Sequence, residues 1–120
     1  MLKRTSIKHV NSILEKNSNW KVLDIGCGWG GLAFEIAKQS QCEVMGISLS
    51  ENQINYCKNK AKELNKDNQI QFELNDYRSV KDKFDRIVSV GAFEHFGKKF
   101  YKTFFKRVKN IMTDDGICLL

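Results

Sequence analysis

The sequence predicts an α/β domain built on a doubly wound parallel sheet of about five strands, with helices on both faces. Three observations predict this class. Short apolar segments alternate five times with segments of helical spacing. The first apolar segment, WKVLDI, is typical of a strand buried on both faces, as parallel strands are. A glycine-rich turn follows it and leads into a helical pattern, as in the first unit of doubly wound folds.

The strands are recognised by their length, their apolar content and the turns that bound them. The chain of 120 residues suffices for one domain, assigned to 1–120. We expect this domain to be incomplete, because its last strand begins only at the final residues. The predicted strands span residues 20–25, 43–47, 69–74, 84–90 and 117–120.

Four helices are predicted from apolar residues that recur every three or four positions. The third begins after Ser50 with a capping box, in which the Gln53 side chain is expected to reach back to the helix start. Residues 113–116 are expected to form a turn. The other helices span 5–17, 31–39 and 98–109, and the last of these is expected to turn four side chains toward the sheet: Phe100, Phe104, Phe105 and Val108.

The net charge of +6 comes from one segment, since six basic residues and no acidic ones lie between Lys98 and Lys109. This segment is either a solvated helix face or a surface that attracts anionic bilayer headgroups. No apolar run approaches the ~20 residues of a membrane span, and the first ten residues do not form a signal peptide. We therefore expect a cytoplasmic protein, either free or bound at the periphery of the inner membrane, with no nucleic-acid partner.

The cysteines give no metal motif. Four are present, without a Cys-x-x-Cys pair, so we expect no zinc site and free, mostly buried thiols in a reducing compartment.

Four glycines stand within six residues after the first predicted strand. Glycine costs roughly 0.5–1 kcal/mol in ordered chain relative to alanine, so this density indicates that a ligand approaches the backbone closely. Gly26, Gly28 and Gly30 give G-x-G-x-G, whereas Gly31 in place of Gly30 gives G-x-G-x-x-G, the dinucleotide fingerprint. The spacing alone leaves both patterns open.

Asp24 discriminates between the possible ligands. It stands at the tip of an otherwise apolar strand, where an acid cannot remain unpaired at low cost. It can accept hydrogen bonds from the loop or face a cationic group such as an amino-acid ammonium, but it would repel a pyrophosphate. It therefore favours S-adenosylmethionine over NAD.

Two further strand ends carry candidate ligand groups. The second strand ends without the acidic residue that usually holds a ribose, so Ser48 and Gln53 are the candidates, although Gln53 equally suits helix capping. After the third strand, Asp76 can accept a hydrogen bond from an adenine amino group and Tyr77 can pack on the ring. A plain turn is the alternative there.

The segments VLDIGCGWGG, GISLSENQ, NDYR, FDRIVSVGAFEHFG and DDGICLL occur in an order and spacing that resembles the cyclopropane-fatty-acyl-phospholipid synthases and mycolic acid cyclopropane synthases. These are class I S-adenosylmethionine-dependent methyltransferases with a Rossmann-like fold. The resemblance covers residues 5 to 120, and GISLSENQ and VSVGAFEHFG are its most specific segments.

The resemblance implies that S-adenosylmethionine methylates the cis double bond of an unsaturated phospholipid acyl chain. The resulting cation then loses a proton from the new methyl group, which closes a cyclopropane ring. A bicarbonate ion, held partly by Glu94, is implied as the proton acceptor, and Gly91 as close backbone. The implied cofactor contacts are Leu23, Asp24, Gly26, Cys27, Gly28, Trp29, Gly30, Ser48, Leu49, Gln53, Asp76 and Tyr77.

Residue types alone also suit the Glu94–His95 pair to acid–base work at a strand end. The alternatives are a structural hydrogen-bonding role for His95 and a helix-start position for Glu94. In the family, other ligands of the bicarbonate lie outside the matched region. The resemblance therefore implies that these 120 residues alone do not turn over lipid.

Other functions stay open. Small-molecule N-methyltransferases of plant alkaloid type share the F-E-H segment and would use its Glu–His pair to deprotonate an amine. A non-catalytic nucleotide-binding module or gene remnant is the second alternative. An NAD oxidoreductase is the third, and Asp24 disfavours it. The sequence does not distinguish a ring from a methyl-branch product, and it gives no oligomeric state.

Overall fold

Strands form a single sheet in the residues that the computed structural model describes, which are 2–3, 20–90 and 97–119. Neighbouring strands all run parallel, which confirms the predicted class, and a two-residue strand at one edge was not indicated by the sequence. The strands are β1 (Leu2–Lys3), β2 (Lys21–Ile25), β3 (Glu43–Ser48), β4 (Ile70–Leu74), β5 (Phe84–Val88) and β6 (Met112–Leu119). Their order in the sheet is β1-β6-β5-β2-β3-β4.

The α-helices of the described residues are α1 (Gly31–Gln39), α2 (Glu51–Glu63) and α3 (Tyr101–Ile111). Side chains of α1 and α2 share one core with the sheet, and those of α3 share another, so the domain is doubly wound as predicted. The strand order reverses at β2, which lies between β3 and β5. Ligands of such folds bind at this reversal, beyond the carboxyl ends of the strands.

Strand β2 shows how the sequence builds two cores at once. Its side chains alternate between the faces of the sheet, so Val22 packs under α1 and α2 while Leu23 and Ile25 pack under α3. On α3, Phe104 and Val108 are buried one turn apart against the second core. Burial of each such side chain contributes about 1.5–3 kcal/mol, and together they fix α3 across β5 and β6.

The start of α2 differs from the predicted reciprocal capping box. The Ser50 hydroxyl accepts a hydrogen bond from the Gln53 N–H at 3.3 Å, as expected. The Gln53 side chain does not reach back, because Ser48 Oγ already accepts from the Ser50 N–H at 3.1 Å. Instead, the Ser48 hydroxyl donates to Gln53 Oε1 at 3.1 Å. Ser48, at the end of β3, therefore accepts the Ser50 N–H that the capping-box pattern assigns to the Gln53 side chain.

The inward position predicted for Phe100 is wrong. The α-helix begins only at Tyr101, after a single 3-10 turn over Lys98–Phe100, and Phe100 is 47% exposed. Phe104 and Val108 are buried as predicted, and Phe105 is partly buried.

The predicted turn at 113–116 lies inside β6, which starts at Met112. The register with β5 shifts from Phe84 opposite Met112 to Arg86 opposite Ile117, so the turn-forming residues bulge out of the ladder. The predicted helix at 5–17 lies outside the described residues. Among the described residues, no helix is long and apolar enough to cross a bilayer.

Candidate functional site

A cavity of about 430 Å³ opens at the carboxyl ends of β2, β3 and β4, where the strand order reverses. Its volume and its mixture of apolar walls with a few polar groups are typical of small-molecule sites. A second cavity of similar volume lies between α3 and β6, away from these strand ends. The cavity at the strand ends is lined by Ile25, Gly26, Ile47, Ser48, Leu49, Asn75, Asp76, Tyr77, Arg78 and Phe100.

The glycine loop follows the G-x-G-x-G pattern. Gly26, Gly28 and Gly30 all have positive φ, at 72°, 58° and 87°, which other residues adopt at a cost. A Cβ on Gly30 would lie 2.6 Å from Phe34 Cε2, whereas a Cβ on Gly31 would meet nothing within 4 Å. Gly30 is therefore the third glycine that the loop requires, and Gly31 simply starts α1.

The backbone of the loop is tied to its neighbours. The N–H groups of Gly26 and Cys27 both donate to the Ile47 carbonyl, at 3.0 and 2.9 Å. From the other side, the thiol of Cys57 on α2 donates to the Gly28 carbonyl at 3.6 Å, and that of Cys27 does so at 3.8 Å. Burial raises the pKa of Cys27 to about 12, so this thiol stays neutral and remains a donor.

Asp24 is buried at the centre of the sheet, opposite Gly46 on β3 and Val88 on β5. Its Oδ2 atom is buried and has no hydrogen-bond partner among the described residues. Loss of water raises the pKa of this carboxyl group from 3.8 to about 7. A carboxylate in this position lacks a compensating charge, which a cationic ligand group would supply.

The end of β3 presents a prearranged polar pair. Ser48 is 9% exposed, and its hydroxyl is held between the Ser50 N–H and the Gln53 side chain. Leu49 follows it and is 75% exposed at the cavity. The pair can hydrogen-bond ribose hydroxyls, and Leu49 offers an apolar surface beside them.

The end of β4 presents an ionised acceptor. Asp76 Oδ1 accepts from the Arg78 N–H at 2.9 Å and from its Nε at 3.0 Å, and Oδ2 accepts from Nη2 at 2.6 Å. These hydrogen bonds hold the pKa of Asp76 below its usual value. Asp76 also caps a 3-10 turn over Tyr77–Ser79, so the turn and the acceptor coexist.

Tyr77 connects this end of the cavity to α3. Its ring packs edge-on against Phe104, with ring centroids 5.3 Å apart. Partial burial raises the pKa of its hydroxyl group, which therefore stays protonated.

The predicted cofactor residues divide into groups. Those that share the cavity are Gly26, Ser48, Leu49, Asp76 and Tyr77. Gln53 is joined to it through Ser48, whereas Leu23 lies inside the core and Cys27 lies beneath the loop. Trp29 is 57% exposed and packs edge-on with Tyr56 of α2, at 5.4 Å between centroids. The predicted catalytic residues Gly91, Glu94 and His95 lie outside the described residues.

Sequence reasoning missed five residues of the cavity wall: Ile25, Ile47, Asn75, Arg78 and Phe100. Ile25 ends β2, Ile47 is the next-to-last residue of β3, and Asn75 and Arg78 lie within two residues of Asp76, so their positions carried a usable signal. Phe100 carried none, because its helical spacing pointed to the core.

Comparison with known proteins gives consistent matches. Residues 3–120 match the family model of the mycolic acid cyclopropane synthetases. The chain is 39% identical over 117 residues to the cyclopropane-fatty-acyl-phospholipid synthase of Escherichia coli K12, covering 98% of this chain and 30% of that protein. It is 43% identical over 99 residues to the S-adenosylmethionine-dependent methyltransferase UmaA of Mycobacterium tuberculosis, covering 82% and 35%.

Among solved structures, the mycolic acid cyclopropane synthase CmaA1, complexed with SAH and CTAB, superposes with a TM-score of 0.85 at 31% identity. The match covers 94% of this chain and 40% of that one. The chain thus spans about a third of the length of the curated relatives named here.

Proposed function

The chain belongs to the mycolic acid cyclopropane synthetase family and has the class I methyltransferase fold, and on this premise we propose that it binds S-adenosylmethionine. We further propose that it serves methyl transfer to the double bond of an unsaturated phospholipid acyl chain, giving a cyclopropane fatty acid. One observation carries the proposal. Ile25 and Gly26 line the cavity at the strand reversal, and Asp24, which directly precedes them in the chain, has a buried Oδ2 that lacks a hydrogen-bond partner among the described residues.

The groups around the cavity fit this cofactor. Asp24 would hold the ammonium group, Ser48 and Gln53 the ribose hydroxyls, and Asp76 the adenine amino group. S-adenosylmethionine, when bound, supplies an electrophilic methyl group on a sulfonium centre. The residues of this chain bind and orient it, and the apolar walls exclude water from it.

The loop backbone argues against a dinucleotide. A pyrophosphate needs free N–H groups at the glycine turn. Here the amides of Gly26 and Cys27 are engaged by the Ile47 carbonyl. The buried Asp24 carboxylate would add repulsion.

Calorimetric titration tests the cofactor assignment. S-adenosylhomocysteine and S-adenosylmethionine should bind, and Asp24→Asn should weaken the binding of both more than that of 5′-methylthioadenosine, which lacks the ammonium group. Binding of NADH that S-adenosylmethionine fails to displace would contradict the assignment. Leu64→Ala, an exposed change at the end of α2, is the matched control.

The acceptor assignment needs a separate assay. The complete reading frame that encodes the chain would be expressed and given labelled S-adenosylmethionine with vesicles of cis-unsaturated or fully saturated phospholipid. Label should enter only the unsaturated lipid, and Glu94→Gln should abolish incorporation while cofactor binding persists. Incorporation into a small amine but not into lipid would point to the N-methyltransferase alternative instead.

We expect the 120 residues alone to bind the cofactor without turning over lipid. The reason is the family resemblance, which implies bicarbonate ligands beyond the matched region. Clear methyl incorporation by this chain would contradict that expectation.

We also propose that the basic segment docks on anionic bilayers. The amphipathic helix α3 buries Phe104, Val108 and Ile111, and its lysines are exposed on the other side. Arg107 is not part of that surface, since its guanidinium donates to the Val80 carbonyl. Each lysine near an anionic surface contributes about 1 kcal/mol. The docking lysines are Lys98, Lys99, Lys102, Lys106 and Lys109.

Vesicle sedimentation distinguishes docking from a solvated helix face. Binding to phosphatidylglycerol vesicles should exceed binding to phosphatidylcholine vesicles and should fall at high salt. Glutamate at Lys102, Lys106 and Lys109 should abolish it. The same change at three lysines of the α2 region, Lys58, Lys62 and Lys66, is the matched control. Salt-independent binding would remove this proposal.

A further inference from the structure

The unexpected position of Phe100 has a geometric cause. Phe100 lies four residues before Phe104, so helical spacing places both side chains on one face. Phe104 is fully buried against the sheet. The connection from β5 to α3 starts at the carboxyl edge, however, and there the sheet has ended. A side chain one turn earlier than Phe104 therefore overhangs the strand ends and lines the cavity.

Phe100 meets the part of the cavity that β4 supplies. The turn after β4, Tyr77–Ser79, contacts α3, and the Tyr77 ring packs on Phe104. Phe100, Tyr77 and Arg78 thus belong to one end of the cavity, where Asp76 presents its carboxylate. This end combines aromatic surface with one hydrogen-bond acceptor, which suits a planar base that carries an amino group.

Neighbouring residues contact Phe100 where it lines the cavity. Its N–H donates to the Gly97 carbonyl at 3.1 Å, which closes the 3-10 turn. The Lys99 ammonium lies 5.0 Å from the centroid of its ring. The Arg78 guanidinium, which also lines the cavity, is held by two hydrogen bonds to Asp76, from Nε to Oδ1 and from Nη2 to Oδ2.

We propose that Phe100 is a cofactor-contacting residue, whose ring packs on the adenine of S-adenosylmethionine and closes the cavity on the side of α3. This inference rests on the proposed cofactor. A base that packs on an aromatic ring typically gains roughly 5- to 150-fold in affinity. The ring also excludes water from the hydrogen bond between Asp76 and the amino group, which strengthens that bond.

Calorimetry with two ligands tests the assignment. S-adenosylhomocysteine carries both the base and the amino-acid part, and 5′-methylthioadenosine carries the base alone. Phe100→Ala should weaken both ligands by the same factor, about tenfold. Phe100→Tyr keeps the ring and should stay within about twofold of the wild type. Leu64→Ala, which removes an exposed apolar side chain remote from the cavity, should change neither affinity.

The other outcomes each overturn a different statement. Unchanged affinities in Phe100→Ala, with weaker binding to phosphatidylglycerol vesicles, would assign the ring to the bilayer and overturn the inference. A loss confined to S-adenosylhomocysteine would do so too, because the ring would then contact the amino-acid part. If wild-type chain binds neither ligand, the proposed function itself fails. Thermal melting of each variant ensures that only folded protein is compared.

Discussion

The ring of Phe34 occupies the space in which a side chain on Gly30 would begin. A Cβ placed on Gly30 would lie 2.6 Å from Cε2 of that ring and 3.0 Å from Cys57 Sγ. The ring cannot easily retreat, because it packs on Phe72 at 5.5 Å between centroids. The glycine loop is therefore packed closely onto the core beneath α1 and α2.

This contact predicts opposite effects for two adjacent glycines. Gly30→Ala should lower the free energy of unfolding by about 1–3 kcal/mol, through the steric overlap and through a φ of 87°. Gly31→Ala should be neutral or should raise it by up to about 1 kcal/mol, because Gly31 starts α1 with open space around it. Urea unfolding measures both, and equal effects would contradict the assignment of Gly30 as the essential glycine.

The second prediction concerns Asp24 and pH. Its pKa is 3.8 in the unfolded chain and about 7 in the folded one, so the folded state binds the proton more tightly between these values. Stability contributed by this group is therefore fully present below pH 3.8 and is lost as the pH rises to about 7. The loss amounts to at most about 4 kcal/mol. In Asp24→Asn, the free energy of unfolding should fall less over this pH range. Parallel profiles of unfolding free energy against pH in the two proteins would contradict the prediction.

Asp24 should also link cofactor affinity to pH. An ammonium group binds the ionised carboxylate, so the affinity for S-adenosylhomocysteine should rise as the pH increases through about 7. The affinity for 5′-methylthioadenosine, which has no ammonium group, should not follow this rise. Isothermal titration between pH 6 and 8.5 measures the difference. A rise shared by both ligands would place the titrating group elsewhere.

The fourth prediction concerns the effect of Arg78 on the ionisation of Asp76. The hydrogen bonds from Arg78 keep Asp76 ionised below the usual carboxyl range, so binding of adenine should persist at acidic pH. In Arg78→Gln, the loss of 5′-methylthioadenosine binding on acidification should begin at a higher pH. At neutral pH the affinity should fall only about two- to fivefold, as expected for an exposed pair. If 5′-methylthioadenosine binding is lost at the same pH in Arg78→Gln as in the wild type, Arg78 does not position the Asp76 carboxylate.

The sequence predicted those features of the fold that depend on local pattern. Helix α1 spans Gly31–Gln39 as expected, because its apolar spacing is regular and a glycine turn precedes it. Phe100 was misplaced, because periodicity carries no information on where the sheet beneath a helix ends. The role of Ser48 at the start of α2 was missed for a related reason. It depends on how far β3 extends, which is set by pairing with β2 and β4.

The last prediction concerns Ser89, which was not among the predicted site residues. Ser89 is 1% exposed. Its hydroxyl donates to the Ile25 carbonyl at 3.2 Å, and its N–H donates to the Leu119 carbonyl at 2.9 Å. Ser89 thus joins the ends of β2 and β6 directly before the glycine loop. Ser89→Ala should cost about 1 kcal/mol in unfolding free energy and should weaken S-adenosylhomocysteine binding, because Ile25 also lines the cavity. The exposed Ser79→Ala is the control, and equal effects of the two changes would deny Ser89 this role.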